Sequence, residues 1–169
     1  MGTTKKPRKR YMPKSKRTDI ISFISNGSEP LDANTRTSIL TAVHAAAFSL
    51  SRGTNEKDAW HTVTNALNIA QILCEDAGNR EIGINVIFAA QNAMIECAEN
   101  FNTRARLVFG TGGLPAVNAG IELFEQLLET VTKLQYTRAN GESLRRVESR
   151  QVVRVKRGAL TKRFELEAA

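Results

Sequence analysis

The stretch DAWHTVTNALNIAQILCEDAG, residues 58–78, decides the fold class. Apolar side chains recur in it mostly at intervals of three or four positions, which is the period of an amphipathic helix. The members of this apolar stripe are Ala59, Val63, Ala66, Leu67, Ala70, Leu73, Cys74 and Ala77. Thr54 or Asn55 is a suitable N-cap for such a helix, and Gly78 is a suitable terminator. The stretch therefore predicts one long amphipathic helix.

Similar periodicity on either side of this stretch predicts further helices. They span about residues 34–51, 79–102 and 115 to just before Asn140-Gly141. The helix over 79–102 is apolar on two faces, so we expect it to be the most central element. Short glycine-containing links such as Arg52-Gly53 are typical of antiparallel helical bundles. The sequence therefore predicts an all-α fold, a small helical bundle of about four helices.

Charge is unevenly distributed along the 169 residues. Residues 1–18 carry eight Lys or Arg and no acid, whereas residues 19–137 carry seven against thirteen acids. Residues 138–163 again are basic, with nine Lys or Arg against two acids. Blocks of like charge repel themselves and usually serve as extended interaction tails. We therefore predict a disordered basic arm over 1–18, a helical bundle over 19–140 and a basic C-terminal extension over 141–169.

The C-terminal extension has two possible structures. Leu144 and Val147 have helical spacing, whereas QVVRVKRG, residues 151–158, alternates as a strand does. Gly158 could turn such a strand back into the segment that follows it. Both a helix and a basic hairpin are therefore open for this part of the chain.

The basic segments predict a nucleic-acid interface. Pro7 and Pro13 keep the arm extended, so that it can follow a phosphate backbone, and Tyr11 could stack on an unpaired base. Binding of this kind depends on counterion release and needs no sequence readout, so we expect non-specific binding to DNA or RNA. A solubilising tail is the plainer alternative. The predicted interface comprises Lys5, Lys6, Arg8, Lys9, Arg10, Tyr11, Lys14, Lys16, Arg17, Arg145, Arg146, Arg150, Arg154, Lys156 and Arg157.

No catalytic or metal-binding motif is evident, so we expect no enzyme activity, no catalytic residue, no metal and no cofactor. Cys74 and Cys97 are too far apart for a C-x-x-C site, and we expect free, buried thiols. We expect His44 at the core or its boundary and His61 paired with Asp58 across one helical turn. The loop GTGGLP, residues 110–115, lacks the Lys-Ser/Thr of a phosphate-binding loop and indicates a connector.

A set of amides lies beside the apolar stripes. Its members are Asn65, Asn68, Gln71, Gln91, Asn92 and Asn118. Buried amides must find hydrogen-bond partners, so we expect a network that fixes the register of the helices. A ligand pocket between the helices is the alternative.

Four segments together resemble a family of small, uncharacterised, helical bacteriophage and prophage proteins, found especially in proteobacteria and including filamentous-phage-like elements. They are KKPRKRYMPK, LSRGTNEKDAWHTVTNALNIAQIL, FAAQNAMIECAENF and RLVFGTGGLPAVNAGIELFEQLLETVT. The resemblance covers about residues 5–138, piece by piece. The chain departs from the family pattern where GLPAVN replaces the usual acidic Glu-Leu, and after about residue 141. The resemblance implies a phage accessory protein in the cytoplasm of a bacterial host.

The partners follow from these features. We expect a nucleic-acid-binding accessory protein; the alternative is a module that docks on a host or phage protein and inhibits or modulates its complex.

Neither a secretory signal nor an apolar run of membrane-spanning length is evident, so we expect a cytoplasmic location and no membrane. Helices that are apolar on more than one face predict self-association, and a homodimer is the commonest form.

Overall fold

The computed structural model of the chain describes residues 27–54, 56–76, 82–149, 155–156 and 159–160. This part of the chain forms a helical bundle of five helices followed by one pair of short strands. The helices are α1 Ala33–Ser51, α2 Lys57–Asp76, α3 Ile82–Arg104, α4 Gly113–Thr130 and α5 Lys133–Glu148, and the strands are β1 Val155–Lys156 and β2 Ala159–Leu160. The prediction of a helical bundle is confirmed, and the first three helices lie where the periodicity placed them.

Thr54, one of the two predicted caps of α2, bonds to the preceding helix instead. The Thr54 hydroxyl donates to the carbonyl oxygen of Ser49 at 2.9 Å, so this side chain closes the C-terminus of α1. Asn55, the other predicted cap, lies outside the described residues. At the opposite end of α1, the Asp32 side chain accepts from the backbone N–H of Thr35 at 2.9 Å, which is ordinary N-capping.

The central helix is α2, and the prediction that the helix over 79–102 would be the most central was wrong. α2 packs against all four other helices, whereas α3 packs mainly on α2 and α4. The buried residues of α2 are Ala59, Val63, Ala66, Leu67, Ile69, Ala70, Ile72, Leu73 and Cys74. These residues occupy more than one face, because α2 must bury a side toward α1, a side toward α3 and α4, and a side toward α5.

The predicted fourth helix is two helices, α4 and α5, which raises the count from four to five in the described part of the chain. Val131 is extended between them, and its carbonyl oxygen accepts from the backbone N–H of Leu31 at 3.2 Å. Thr132 then begins α5 with a capping box, in which Thr132 and Gln135 each bond the other's backbone N–H. The capping box and the pairing with residues 29–31 together stabilise the break.

Asn140-Gly141 was expected to end a helix, and that prediction was wrong. Both residues lie within α5, which continues to Glu148 and buries Ala139 and Ser143 against the bundle. Gly141 is exposed there and costs only about 1 kcal/mol relative to alanine, which the packing of α5 on α2 offsets. Residues 141–148 therefore belong to a helix of the bundle.

The C-terminal extension contains both of the structures that the sequence left open. Its first part is the end of α5, and its second part is an antiparallel pair in which Val155 faces Leu160 and Lys156 faces Ala159. Strand β1 lies beside α3. The predicted basic arm, residues 1–18, lies outside the described residues.

The core closes most tightly where α2, α3 and α4 meet. Gly120 on α4 lies at this point, and a Cβ there would be 2.7 Å from the Cβ of Ala90 and 2.8 Å from Cδ2 of Leu67. Real Cβ atoms do not approach so closely, so the absence of a side chain permits this three-helix contact. Ile121, the next residue, and Phe124, one turn further along α4, are almost completely buried beside this contact.

Candidate functional site

Most of the predicted nucleic-acid interface lies outside the residues that the structure describes. This applies to Lys5, Lys6, Arg8, Lys9, Arg10, Tyr11, Lys14, Lys16, Arg17, Arg150, Arg154 and Arg157. Lys156 is placed by its backbone in β1. Arg145 and Arg146 lie in the last turn of α5. The structure therefore brings together only these last two arginines, whose surroundings can be described in detail.

Arg145 and Arg146 are engaged by carboxylates of the bundle. Arg145 donates to both oxygens of Glu142, from Nε at 2.7 Å and from Nη2 at 2.6 Å. Arg146 donates from Nε to Glu142 at 3.0 Å and from Nη2 to Glu75 of α2 at 2.8 Å. The Arg146 side chain is only 23% exposed, whereas that of Arg145 is 59% exposed. Arg146 thus fastens α5 to α2, and Arg145 remains reachable from solvent.

The electrostatics of this cluster favour the charged forms of Glu142, Arg145 and Arg146. Hydrogen bonds from Arg145 and then Arg146 lower the pKa of Glu142 to about 2. The hydrogen bond from Glu142 raises the pKa of Arg145, and the hydrogen bond from Glu75 is the main cause that raises the pKa of Arg146. A phosphate that approached Arg145 and Arg146 would have to compete for their N–H donors with the carboxylates of Glu142 and Glu75, which already bind them.

An amide network continues from this cluster along α2. Gln91 of α3 donates through Nε2 to Asn68 at 3.1 Å and to Gln71 at 2.9 Å. Gln71 in turn donates to Glu75 at 2.8 Å. These amides join α3 to α2 and to the ion pairs of α5, so the predicted amide network is present for these three residues, and its role in fixing the helix register stays a prediction.

Other members of the predicted amide set behave differently. Asn65 accepts a hydrogen bond from the buried Ser143 hydroxyl of α5 at 3.2 Å, which extends the polar contacts between α2 and α5. Asn92 and Asn118 are exposed, so their assignment to the buried side was wrong. Each lies one position from a buried neighbour, Ala93 and Val117 respectively, and a small error in helical phase accounts for the difference.

The two cysteines are free and buried, as predicted. Burial raises the pKa of the Cys97 thiol to about 11 and also raises that of Cys74. Since the thiolate is the nucleophilic form, both side chains are unreactive near neutral pH. They act as small apolar residues in the core.

The histidines are placed differently from the predictions. His44 is 55% exposed on the outer side of α1, with Nε2 3.9 Å from a Glu125 carboxylate oxygen, so its assignment to the core or its boundary was wrong. The ring of His61 lies edge-on to Trp60, with 5.2 Å between centroids. No Asp58–His61 ion pair occurs in this described segment of α2. Trp60 donates to the Met94 carbonyl oxygen, which orients its ring between α2 and α3.

The glycine-rich loop before α4 has an acidic neighbour. The carboxylate of Glu96 lies against Gly110, in the space that a Cβ would occupy. Gly112 has φ +80° and forms the N-cap of α4 without a side-chain hydrogen bond. A carboxylate at this position would repel a phosphate, so the loop fits the predicted connector and not an anion site.

Sequence reasoning missed the importance of one surface, the outer side of α1. Phe48 there is 64% exposed, and Ala42 and Ala45 are exposed as well. The signal was present in the sequence, because residues 37–51 contain no Asp, Glu, Lys or Arg. A solvated helix normally carries charge on its outer face.

No family model, curated protein or solved structure shows a significant match to the chain. The described residues contain no cluster of His, Cys, Asp and Glu side chains that could hold a metal ion. Among the helices within those ranges, none is both long and apolar enough to cross a membrane.

Proposed function

We propose that the protein binds DNA or RNA non-specifically through its basic terminal segments, the arm over 1–18 and the C-terminal extension, while the bundle serves as their carrier. The observation that carries this proposal is the separation of charge. Eight Lys or Arg stand in the first eighteen residues without a single acid, whereas residues 27–149 hold ten Lys or Arg against fourteen acids.

The contrast with the bundle supports the arm as the main binding segment. The arginines of α5 that face the bundle, above all Arg146, are bonded to Glu75 and Glu142. The arm has no acid within it, so each of its cations is available to displace a counterion from a phosphate. An acidic bundle is repelled by the same phosphates, which favours contact through the termini alone.

The biological setting of this proposal rests on the resemblance to phage proteins. A non-enzymatic accessory protein that coats or tethers nucleic acid in a bacterial cytoplasm fits a small chain with basic ends. Such binding supports replication, expression or packaging without sequence recognition. Tyr11 adds an aromatic surface within the arm, on which one unpaired base could stack.

The proposal is tested with a pair of charge-matched variants. In the arm variant Lys5, Lys6 and Arg8 are replaced by Gln, and in the control Arg36, Arg104 and Arg106 are replaced by Gln. Both variants lose the same net charge, and only the position of the loss differs. Fluorescence anisotropy with a labelled oligonucleotide of arbitrary sequence, at fixed low salt, measures the affinity.

We expect the arm variant to bind several-fold more weakly than the wild type and the control to bind nearly as well. An unrelated competitor oligonucleotide should displace the probe with equal efficiency, since phosphate contacts carry no sequence information. Equal losses in the two variants would show that overall charge, and not the arm, determines binding. If the wild-type protein showed no detectable binding to the oligonucleotide, the proposal would be refuted.

A further inference from the structure

The outer side of α1 itself carries no charged side chain, although Glu125 of α4 borders it, and the other helices leave it open. Between Arg36 and Arg52 there is no Asp, Glu, Lys or Arg, although about half of these positions are exposed. Phe48 is a large apolar side chain on this face and is 64% exposed. Depletion of charge together with an exposed aromatic residue is typical of the centre of a protein interface.

The face is shaped as a shallow groove of about 650 Å³. Its α1 residues are Thr37, Leu40, Thr41, His44, Ala45 and Phe48, and Glu125 of α4 forms one wall. Because helical residues rise 1.5 Å each, the six α1 positions extend over ~16 Å along the helix. This is long enough for several turns of a second helix to lie along it.

We propose that this face binds the same face of a second copy of the chain, with the two α1 helices antiparallel about a two-fold axis between residues 42 and 43. In this register Phe48 of one copy faces Thr37 of the other, and Ala45 faces Leu40. His44 of one copy faces Thr41 of the other, and the Thr41 hydroxyl lies within reach of the His44 imidazole. Each pair joins a larger side chain to a smaller one, which is the complementarity that an isologous interface requires.

Charges at the two ends of the face favour the same pairing. The axis places Arg52 of one copy beside the N-terminus of α1 of the other, where the exposed Asp32 caps the helix. Arg52 already lies over the Phe48 ring, with 5.6 Å from Cζ to the centroid, and so borders the groove. An antiparallel pair also brings opposite ends of the helix dipoles together. A second copy therefore matches the groove in size at its centre and in charge at its ends.

Sedimentation equilibrium of the full-length protein, without nucleic acid, tests this pairing independently of binding by the basic segments. We expect a dimer at micromolar concentration. Phe48→Glu should weaken the dimer by at least about thirtyfold, since it buries a carboxylate against Thr37 of the other copy at each end of the seam. The control Leu144→Glu, on the outer side of α5 where Leu144 is 54% exposed, should leave the dimer unchanged.

A second variant tests the register. Adding Thr37→Arg to Phe48→Glu places an arginine of one copy opposite the new glutamate of the other, so the double variant should recover part of the lost affinity. Circular dichroism should show the wild-type helix content in Phe48→Glu, in Leu144→Glu and in the double variant, because the substituted positions are exposed. A monomeric wild type would overturn the proposal. A dimer that survives Phe48→Glu, or one that Leu144→Glu dissociates, would also overturn it.

Discussion

Replacing Gly120 by alanine should destabilise the protein, although alanine is the better helix former. The added methyl group would lie 2.7 Å from the Cβ of Ala90 and 2.8 Å from Cδ2 of Leu67. Carbon atoms pack at about 3.5–4.0 Å, so α3 or α4 must move by roughly 1 Å to admit it. Overpacking of this kind costs about 1–3 kcal/mol. The gain in helix propensity returns about 1 kcal/mol, so we expect a net loss between about 0 and 2 kcal/mol.

Gly141→Ala is the matched control. Gly141 also lies inside a helix, but a Cβ there has no neighbour within 4 Å. Only the propensity changes, so this variant should gain about 0.5–1 kcal/mol. Urea denaturation followed by circular dichroism measures both free energies of unfolding. A Gly120→Ala protein that is stabilised as much as the Gly141→Ala protein would refute the close contact of α2, α3 and α4. A destabilised Gly141→Ala protein would refute the continuation of α5 through this residue.

The ion cluster and the thiols give three further predictions. The pKa of Glu142 is lowered from 4.5 to about 2. Its contribution to the free energy of unfolding is therefore present above pH 4.5 and is lost as the pH falls toward 2. In acid-unfolding curves, Glu142→Gln should make the free energy of unfolding fall less steeply over this pH range. Arg146→Met should cost about 1–2 kcal/mol in urea denaturation, because it leaves the Glu75 carboxylate without its cationic partner, whereas the exposed Arg145→Met should cost clearly less. The two thiols should react with a disulfide reagent only in denaturant, and rapid reaction of the native protein would contradict their burial.

Local patterns predicted the helices well where one physical signal dominated. The stripe of α2 is a regular 3.6-residue repeat, and its helix was located to within a few residues. The break between α4 and α5 was harder, because Val131 continues the apolar period of α4. The sequence does contain the Thr132-x-x-Gln135 signature of a capping box. Its effect depends on pairing with residues 29–31, a contact distant in sequence that periodicity cannot reveal.

The candidate site shows the same limit. Arg145 and Arg146 look alike in sequence, as two cations in a basic segment. Their difference arises from Glu75, which lies 71 positions before Arg146 and meets it only through the packing of α5 on α2. The uncharged face of α1 was visible in the composition of residues 37–51. Its exposure could not be predicted, because a helix without charge is equally typical of a fully buried core element.

The salt dependence of binding tests the central claim most directly. Fluorescence anisotropy should be recorded with one duplex over a series of salt concentrations, for the wild type and for a variant in which all eight Lys and Arg of residues 1–18 are replaced by Gln. Each phosphate contact contributes about 0.9 to the slope of log affinity against log salt, so the variant's slope should be shallower by about 5 to 7 if most arm cations bind phosphates. A slope that remains unchanged in the variant would show that the arm does not contact nucleic acid.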